Sequence, residues 1–352
     1  MTAARRQMNG LLLSHACHAR YGDDFVAAAL RAGAPVELIV LPADPEARID
    51  AAAAARVTMA LFSTDIIPTH SRQFFAAVKW APNIKWLQLC NAGIDHPVFD
   101  DIRARDVRLT TASGANAGPV GLTAVTGMMM LARGFGHWSG AQQRRAWEPL
   151  RGQSQPADFE GQTVIVLGMG EIGRVIARHA RFLGMHVIGV RRSAGSADDP
   201  VDQMCHPGEL DKLLPRAQWL VIACPLTPET RGIIDAGRLA LLPSGAHLIN
   251  IARGGIVDEP ALIAALESRR LAGAYLDVFA REPLPAASPL WALPNVVVSP
   301  HNASASTGND ARVNAIFLRN LPLFAGGALM NNEVAALHPS ARPSTDSPGH
   351  TP

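Results

Sequence analysis

Thr163-Val-Ile-Val-Leu-Gly-Met-Gly-Glu-Ile-Gly173 decides how this chain is read. A β-branched, apolar run predicts a buried strand from Thr163 to Leu167, and a Gly-x-Gly-x-x-Gly turn follows it. A helical pattern then runs from Glu171 to Phe182. In this strand–turn–helix setting each glycine has its own task. Gly168 permits the tight turn, Gly170 lets a pyrophosphate reach the backbone, and Gly173 lets helix and strand pack closely. The amides of Glu171, Ile172 and Gly173, at the positive end of the helix dipole, then face an anionic dinucleotide.

Working downstream, apolar runs at Met185 to Val190, Trp219 to Cys224, Ala246 to Ile251, Gly273 to Asp277 and Val296 to Ser299 bring the predicted strands to six. That is the outline of a Rossmann dinucleotide-binding domain. The end of its second strand bears on the cofactor. An NAD-binding domain usually carries Asp or Glu there for the ribose hydroxyls. Here Arg191-Arg-Ser193 occupies the position, with no carboxylate before Asp198. Guanidinium forks match a 2′-phosphate, so NADP is the expected cofactor, with NAD as the alternative if Arg191 and Arg192 are merely solvated.

Working upstream, strands are predicted at Gly10 to Ser14, Val36 to Leu41, Val57 to Phe62, Trp86 to Leu89 and Val107 to Thr110. Helical stretches such as Asp23 to Ala32 and Ser71 to Lys79 separate them, which makes a second, smaller α/β domain. The apolar segment Val120 to Arg133 reads as a helix buried between domains, with Met128-Met-Met130 as core filler. Ala141 to Gln155 reads as a connecting surface stretch. The last helix, Asp310 to Phe324, is expected to return to the N-terminal domain. Residues 338–352 lack apolar side chains to bury and read as a disordered tail.

A chain of 352 residues has room for two cores. Its net charge of +2, with basic residues spread throughout, gives no reason to expect nucleic acid as partner. No apolar run is long enough to span a membrane, and Leu11-Leu-Leu13 is too short for a secretory core. Cys17, Cys90, Cys205 and Cys224 are scattered without a CxxC pair, so reduced thiols and a cytoplasmic location are expected. Ser14-His-Ala-Cys-His18 matches no metal spacing and reads as a loop with a histidine pair; no metal is expected.

Three charged groups follow predicted strands in the C-terminal half: Arg253, Glu282 and His301. In an open parallel sheet the carboxyl ends of strands are where ligands bind. Reducing a 2-keto acid requires an anchored carboxylate, a polarised carbonyl and a proton delivered to oxygen. Arg253 suits the first two as a permanent cation. His301 suits the third, because imidazole titrates near working pH. Glu282 would hydrogen-bond the other ring nitrogen and orient it. Taken singly, each has a plainer reading, as a sheet-edge cap, a surface ion pair and a satisfied loop histidine. Gathered on one rim beside a nucleotide turn, they point to a dehydrogenase acting on small carboxylic acids.

Val166-Leu-Gly-Met-Gly-Glu-Ile-Gly173, Cys224-Pro-Leu-Thr-Pro-Glu-Thr-Arg-Gly232, Asn250-Ile-Ala-Arg-Gly-Gly-Ile-Val-Asp258, Leu276-Asp-Val-Phe279, Glu282-Pro283 and Ser299-Pro-His301 occur in this order. In these segments the chain resembles the D-isomer-specific 2-hydroxyacid dehydrogenases, which include glyoxylate and hydroxypyruvate reductases and phosphoglycerate dehydrogenases. The resemblance implies that Arg253, Glu282 and His301 are catalytic and that Asp277 contacts the nicotinamide amide. It implies that Cys224-Pro225 and Ile251-Ala252 line the cofactor cleft. Asn91, Ala92, Gly93 and Ile94 would bind the substrate carboxylate through backbone amides, beside Arg253 and His301.

It further implies a flavodoxin-like substrate domain split in sequence, residues 1–112 and 305–337, around a dinucleotide-binding domain at 113–304, and a homodimer. The expected reaction is NAD(P)H-dependent reduction of a glyoxylate- or hydroxypyruvate-type keto acid to the D-2-hydroxy acid. Gly118-Pro-Val-Gly-Leu-Thr-Ala124 departs from the family, which commonly has Ala-Glu in this helix. The lack of a regulatory domain after Leu337 argues against a feedback-regulated phosphoglycerate dehydrogenase. Formate dehydrogenases of this fold carry glutamine where Glu282 stands. A redox-sensing corepressor that binds the dinucleotide and keeps the catalytic residues is the other alternative.

Overall fold

Alternating apolar strands and helices fold, in the computed structural model, into two α/β units with parallel sheets. The structure describes residues 8–94, 96–152 and 155–336. The tail expected at 338–352 lies outside them. The chain divides after Ala115 and again after Thr307.

The first unit holds β1 (Asn9–Leu13), β2 (Val36–Val40), β3 (Val57–Leu61), β4 (Trp86–Gln88) and β5 (Arg108–Thr110), with α1 (His15–Arg31), α2 (Ala51–Arg56), α3 (Ser71–Trp80) and α4 (Val98–Arg103). All pairings are parallel, in the order β2-β1-β3-β4-β5. This is the flavodoxin-like order. Leu11, Leu12 and Leu13 are all fully buried, as expected where helices cover both faces of a sheet. The chain's last helix, Asn309–Ala325, packs in the same core. Its Phe317 stacks on Trp86 with ring centroids 4.7 Å apart and meets Phe25 edge-on at 5.4 Å. One expectation changes here. His15 and His18 are not in a loop but in the first turn of α1, because Ser14 caps that helix by accepting from the Cys17 amide at 2.9 Å.

The second unit holds α5 (Ala117–Ala132), α6 (Phe135–Gln143), β6 (Thr163–Leu167), α7 (Glu171–Phe182), β7 (His186–Val190), β8 (Gln203–Cys205), α8 (Leu210–Leu213), β9 (Trp219–Ile222), α9 (Ala236–Leu241), β10 (Ala246–Asn250), α10 (Glu259–Glu267), β11 (Leu271–Leu276) and β12 (Val296–Val298). Its strands are parallel in the order β12-β11-β10-β9-β6-β7-β8. Counted from β6, that is the doubly wound 3-2-1-4-5-6 order with a seventh strand at the edge. That seventh strand is β12; the strand absent from the six expected is β8, at the other edge, whose three residues Gln-Met-Cys offer no apolar run.

Helix α5 approaches the rest of this unit closely because two glycines let it. A Cβ at Gly121 would lie 2.5 Å from Val175 of α7, and one at Gly127 would lie 2.4 Å from the Tyr275 ring of β11. Of the three methionines expected in the core, Met128 is fully buried while Met129 is 40% exposed, since each helix position is turned about 100° from the one before it.

The four cysteines are free and buried, and burial pushes Cys17 and Cys90 up to about 12 and Cys224 up to about 11. They stay protonated thiols that act as packing groups. Among the described residues, no helix is long and apolar enough to cross a membrane.

His247 of β10 stacks on Trp219 with ring centroids 4.1 Å apart, and burial pushes its imidazole down from 6.5 to about 4. Between those values the unfolded chain takes up a proton that the folded chain refuses. Stability is therefore complete above the window and falls as pH drops through it. The full shift is worth about 3 kcal/mol. His247→Phe, which keeps a ring on Trp219, is expected to flatten the stability difference between about pH 7 and about pH 5 in urea unfolding. Equal differences in the variant and the parent would refute this.

Candidate active site

The parallel strands of the second unit all end on one edge, and the loops leaving β10, β11 and β12 carry the three charged groups. The loop after β12 is the most constrained. The His301 amide donates to Asp277 O at 2.8 Å and to Ser299 O at 3.1 Å, and its backbone lies in the left-handed region with φ +52°. Beneath it is the Asp277 carboxylate, almost fully buried. Its Oδ1 accepts from Ser299 Oγ at 2.6 Å and the Asn302 amide at 2.8 Å, and the Ala303 amide lies 3.1 Å from both oxygens. Burial pushes the Tyr275 hydroxyl up, so it keeps its proton and donates to Ser299 Oγ at 2.6 Å. A Tyr275–Ser299–Asp277 relay thus shapes the turn that displays His301.

Glu282 leaves β11 by a tight loop. Its Oε1 accepts from the Phe279 amide at 3.0 Å, and its Oε2 lies 2.6 Å from His301 Nδ1. The imidazole is about half exposed, so this pair orients the ring more than it stabilises the fold. With Nδ1 donating to the carboxylate, Nε2 is the nitrogen left to face a substrate.

Arg253 follows β10 in extended backbone. Asn250, almost fully buried, holds its loop by donating from Nδ2 to Arg253 O and accepting from the Ala252 amide, each at 3.1 Å. Arg253 Nη1 donates to Ala252 O at 2.7 Å. The next residue must be glycine, because a Cβ at Gly254 would lie 1.9 Å from the Phe279 carbonyl carbon. The backbone of the arginine loop is thereby pressed against the loop that carries Glu282.

At the switch point between β6 and β9 the three glycines differ as their roles require. Gly168 has φ +106°, and a Cβ there would lie 2.4 Å from the Cys224 amide; one at Gly173 would lie 2.0 Å from Gly168 O. A Cβ at Gly170 would meet nothing within 4 Å, so open space lies before the N-terminus of α7, which no side chain caps. That is the cradle a pyrophosphate needs, and these residues fit a dinucleotide. Glu171 and Ile172 form the first turn of the helix. Cys224, Ile251 and Ala252 are buried at the ends of β9 and β10, while Pro225 is exposed. After β7, Arg191 is turned onto its own loop, whereas Arg192 and Ser193 are exposed.

Asn91, Ala92, Gly93 and Ile94 belong to the first unit, on the loop after β4. Asn91 Nδ2 donates to Gly93 O at 2.7 Å, while its Oδ1 is buried without a hydrogen-bond partner. Among the described residues, no cluster of three or more His, Cys, Asp or Glu side chains could hold a metal ion.

Residues 125–303 match the family described as D-isomer specific 2-hydroxyacid dehydrogenase, NAD binding domain. This chain belongs to the D-isomer specific 2-hydroxyacid dehydrogenase family. It is therefore an NAD(P)-dependent oxidoreductase with a Rossmann domain. Among curated relatives, the (S)-sulfolactate dehydrogenase of Chromohalobacter salexigens is 35% identical over 68% of this chain and 77% of that protein. Among solved structures, a D-isomer specific 2-hydroxyacid dehydrogenase from Xanthobacter autotrophicus Py2, in complex with NADPH and MES, is 31% identical with a TM-score of 0.72. That match covers 94% of this chain and 98% of the other. The NADPH-dependent glyoxylate/hydroxypyruvate reductase of Sinorhizobium meliloti, in complex with NADP and sulfate, is 26% identical with a TM-score of 0.71, covering 94% and 99%.

The sequence reading did not single out the groups that support this 2-hydroxyacid dehydrogenase rim. In the sequence Asn250 and Ser299 stand only as members of longer motifs. Each is a polar residue closing an apolar strand, and that is the signal that could have marked them.

Proposed function

We propose that this chain reduces a small 2-keto acid of the glyoxylate or hydroxypyruvate type to the D-2-hydroxy acid, with NADP as the preferred cofactor. The observation that carries the reading is the 2.6 Å contact of His301 with Glu282, on the same sheet edge as Arg253 and the glycine turn. The reduced nicotinamide, when bound, supplies the hydride that the carbonyl carbon accepts. Arg253 anchors the substrate carboxylate and polarises its carbonyl, because a planar guanidinium can contact both oxygens. His301 delivers a proton from Nε2 to the carbonyl oxygen as negative charge develops there. Glu282 holds Nδ1 and balances the positive imidazolium. Asp277, which fixes the His301 turn, is proposed on family grounds to contact the nicotinamide amide. The loop Asn91 to Ile94 is proposed to bind the carboxylate through its backbone on family grounds.

A panel of 2-keto acids that includes glyoxylate, hydroxypyruvate and the keto acid of sulfolactate, assayed with NADPH and NADH, tests the proposal. Highest kcat/KM for glyoxylate or hydroxypyruvate with NADPH is expected. Preference for another keto acid would sink the substrate assignment, and preference for NADH would sink the cofactor assignment.

We propose also that two copies associate. Leu122 and Met129 lie seven residues apart on one face of α5, and Phe135, Trp138 and Trp147 add further exposed apolar surface. Phe135 and Trp138 meet with ring centroids 5.3 Å apart, and exposed large apolar side chains of this kind are what an association surface offers. Light scattering is expected to give twice the mass of a single chain, and Leu122→Lys to shift it towards one. A monomeric parent protein would overturn the proposal.

A further inference from the structure

The loop that follows β7 is organised around one buried carboxylate. The Asp199 side chain is 1% exposed, yet it meets two guanidiniums. Arg174 of α7 pairs with its Oδ1, and Arg191, at the end of β7, reaches its Oδ2 at 2.8 Å. The Ser196 amide donates to Oδ2 at 2.7 Å, and the Asp199 amide donates to Ser196 O at 3.0 Å. Arg174 also donates to Asp198 O at 3.0 Å.

Arg191 is further committed to its own loop, with Nε donating to Ser193 O at 3.2 Å and Nη2 to Ala194 O. Its remaining Asp199 contact, from Nη1 to Oδ1, is 3.4 Å. Four of the five N–H directions of this guanidinium are thus taken within the loop. Arg192, by contrast, is exposed and, apart from a weak attraction to the exposed Glu229 carboxylate, makes no hydrogen bond or ion pair among the described residues.

The two arginines after β7 therefore differ in role. Arg191 is a strut, and Arg192 is the cation left for a ligand. We propose that Asp199 is a positioning residue for cofactor choice: by bridging Arg174 and Arg191 it holds the loop that presents Arg192 and Ser193 to the 2′-phosphate of NADP. This inference rests on the NADP reading above. Removing the carboxylate leaves two guanidiniums facing each other without their shared anion, so the loop opens. The cost falls on the 2′-phosphate, because the glycine turn and the amides of α7 that serve both dinucleotides are untouched.

Calorimetric titration of the full chain with NADPH and with NADH separates the possibilities. Asp199→Asn is expected to weaken NADPH binding about tenfold or more while NADH binding stays within about twofold. Arg192→Ala should give the same pattern with an unchanged melting temperature. Should Asp199→Asn fail to fold, Arg174→Met, which removes one strut and keeps the carboxylate, is expected to lower the NADPH-to-NADH affinity ratio in the same direction. A parent protein that binds NADH as tightly as NADPH overturns the cofactor reading itself. A parent that prefers NADPH, with variants whose ratio is unchanged or whose affinities for both dinucleotides fall equally, overturns the role of Asp199 alone.

Discussion

His301→Ala is expected to lower kcat/KM for keto acid reduction by about 10²–10⁴-fold, the usual effect of losing a positioned acid–base group. The loss should fall mainly on kcat, because dinucleotide binding is served by the turn at Gly168 to Gly173. Loop collapse is not expected to confuse the result. The left-handed turn is held by the His301 amide and by the Asp277 carboxylate, which the substitution leaves in place. The variant's dinucleotide affinity and melting temperature should therefore match the parent's. Activity within threefold of the parent would remove His301 from the mechanism.

Arg253→Ala is expected to be about as damaging, at 10²–10³-fold or more in kcat/KM, with a different signature. One cation is proposed to serve both the carboxylate in the ground state and the carbonyl oxygen as charge grows on it. Its loss should raise KM for the keto acid and lower kcat together. Arg253→Lys should recover only part of the rate, since an ammonium cannot form the planar fork that contacts both oxygens. Steady-state kinetics with varied keto acid at saturating NADPH would show this. An unchanged KM in Arg253→Ala would contradict carboxylate anchoring, and full recovery by lysine would contradict the bidentate geometry.

Much of this architecture was legible because parallel strands buried on both faces appear as short apolar runs. Thr163–Leu167 and Glu171–Phe182 have the bounds the sequence reading assigned them. Other strands stop one or two residues short of the apolar run. Trp219–Ile222, for instance, leaves Cys224 beyond the ladder, since the chain turns towards the rim there. Strand β8 escaped because an edge position does not demand apolar residues on both faces. The true start of α1 escaped because its first turn is His-Ala-Cys-His, and only the Ser14 cap announces it.

The strand-end placement of Arg253, Glu282 and His301 was also legible, because the chemistry of a parallel sheet concentrates on one edge. Their supports were not. Asn250 acts through backbone next to it, Ser299 through Asp277 and Tyr275, and Asp199 through arginines up to 25 residues away. Such partnerships depend on three-dimensional closure, which no local periodicity encodes. Arg191 shows the same limit. Sequence treats it as the twin of Arg192, and only the fold shows that most of its donors face inward.

The bare α-carbon at Gly254, seated against the Phe279 carbonyl, couples the guanidinium segment to the carboxylate–imidazole segment through main chain alone. Neighbouring side chains can diverge over evolutionary time without altering how far the proton source stands from the anion clamp. New substrates would then be acquired by remodelling the walls around an inherited, inflexible chemical jig.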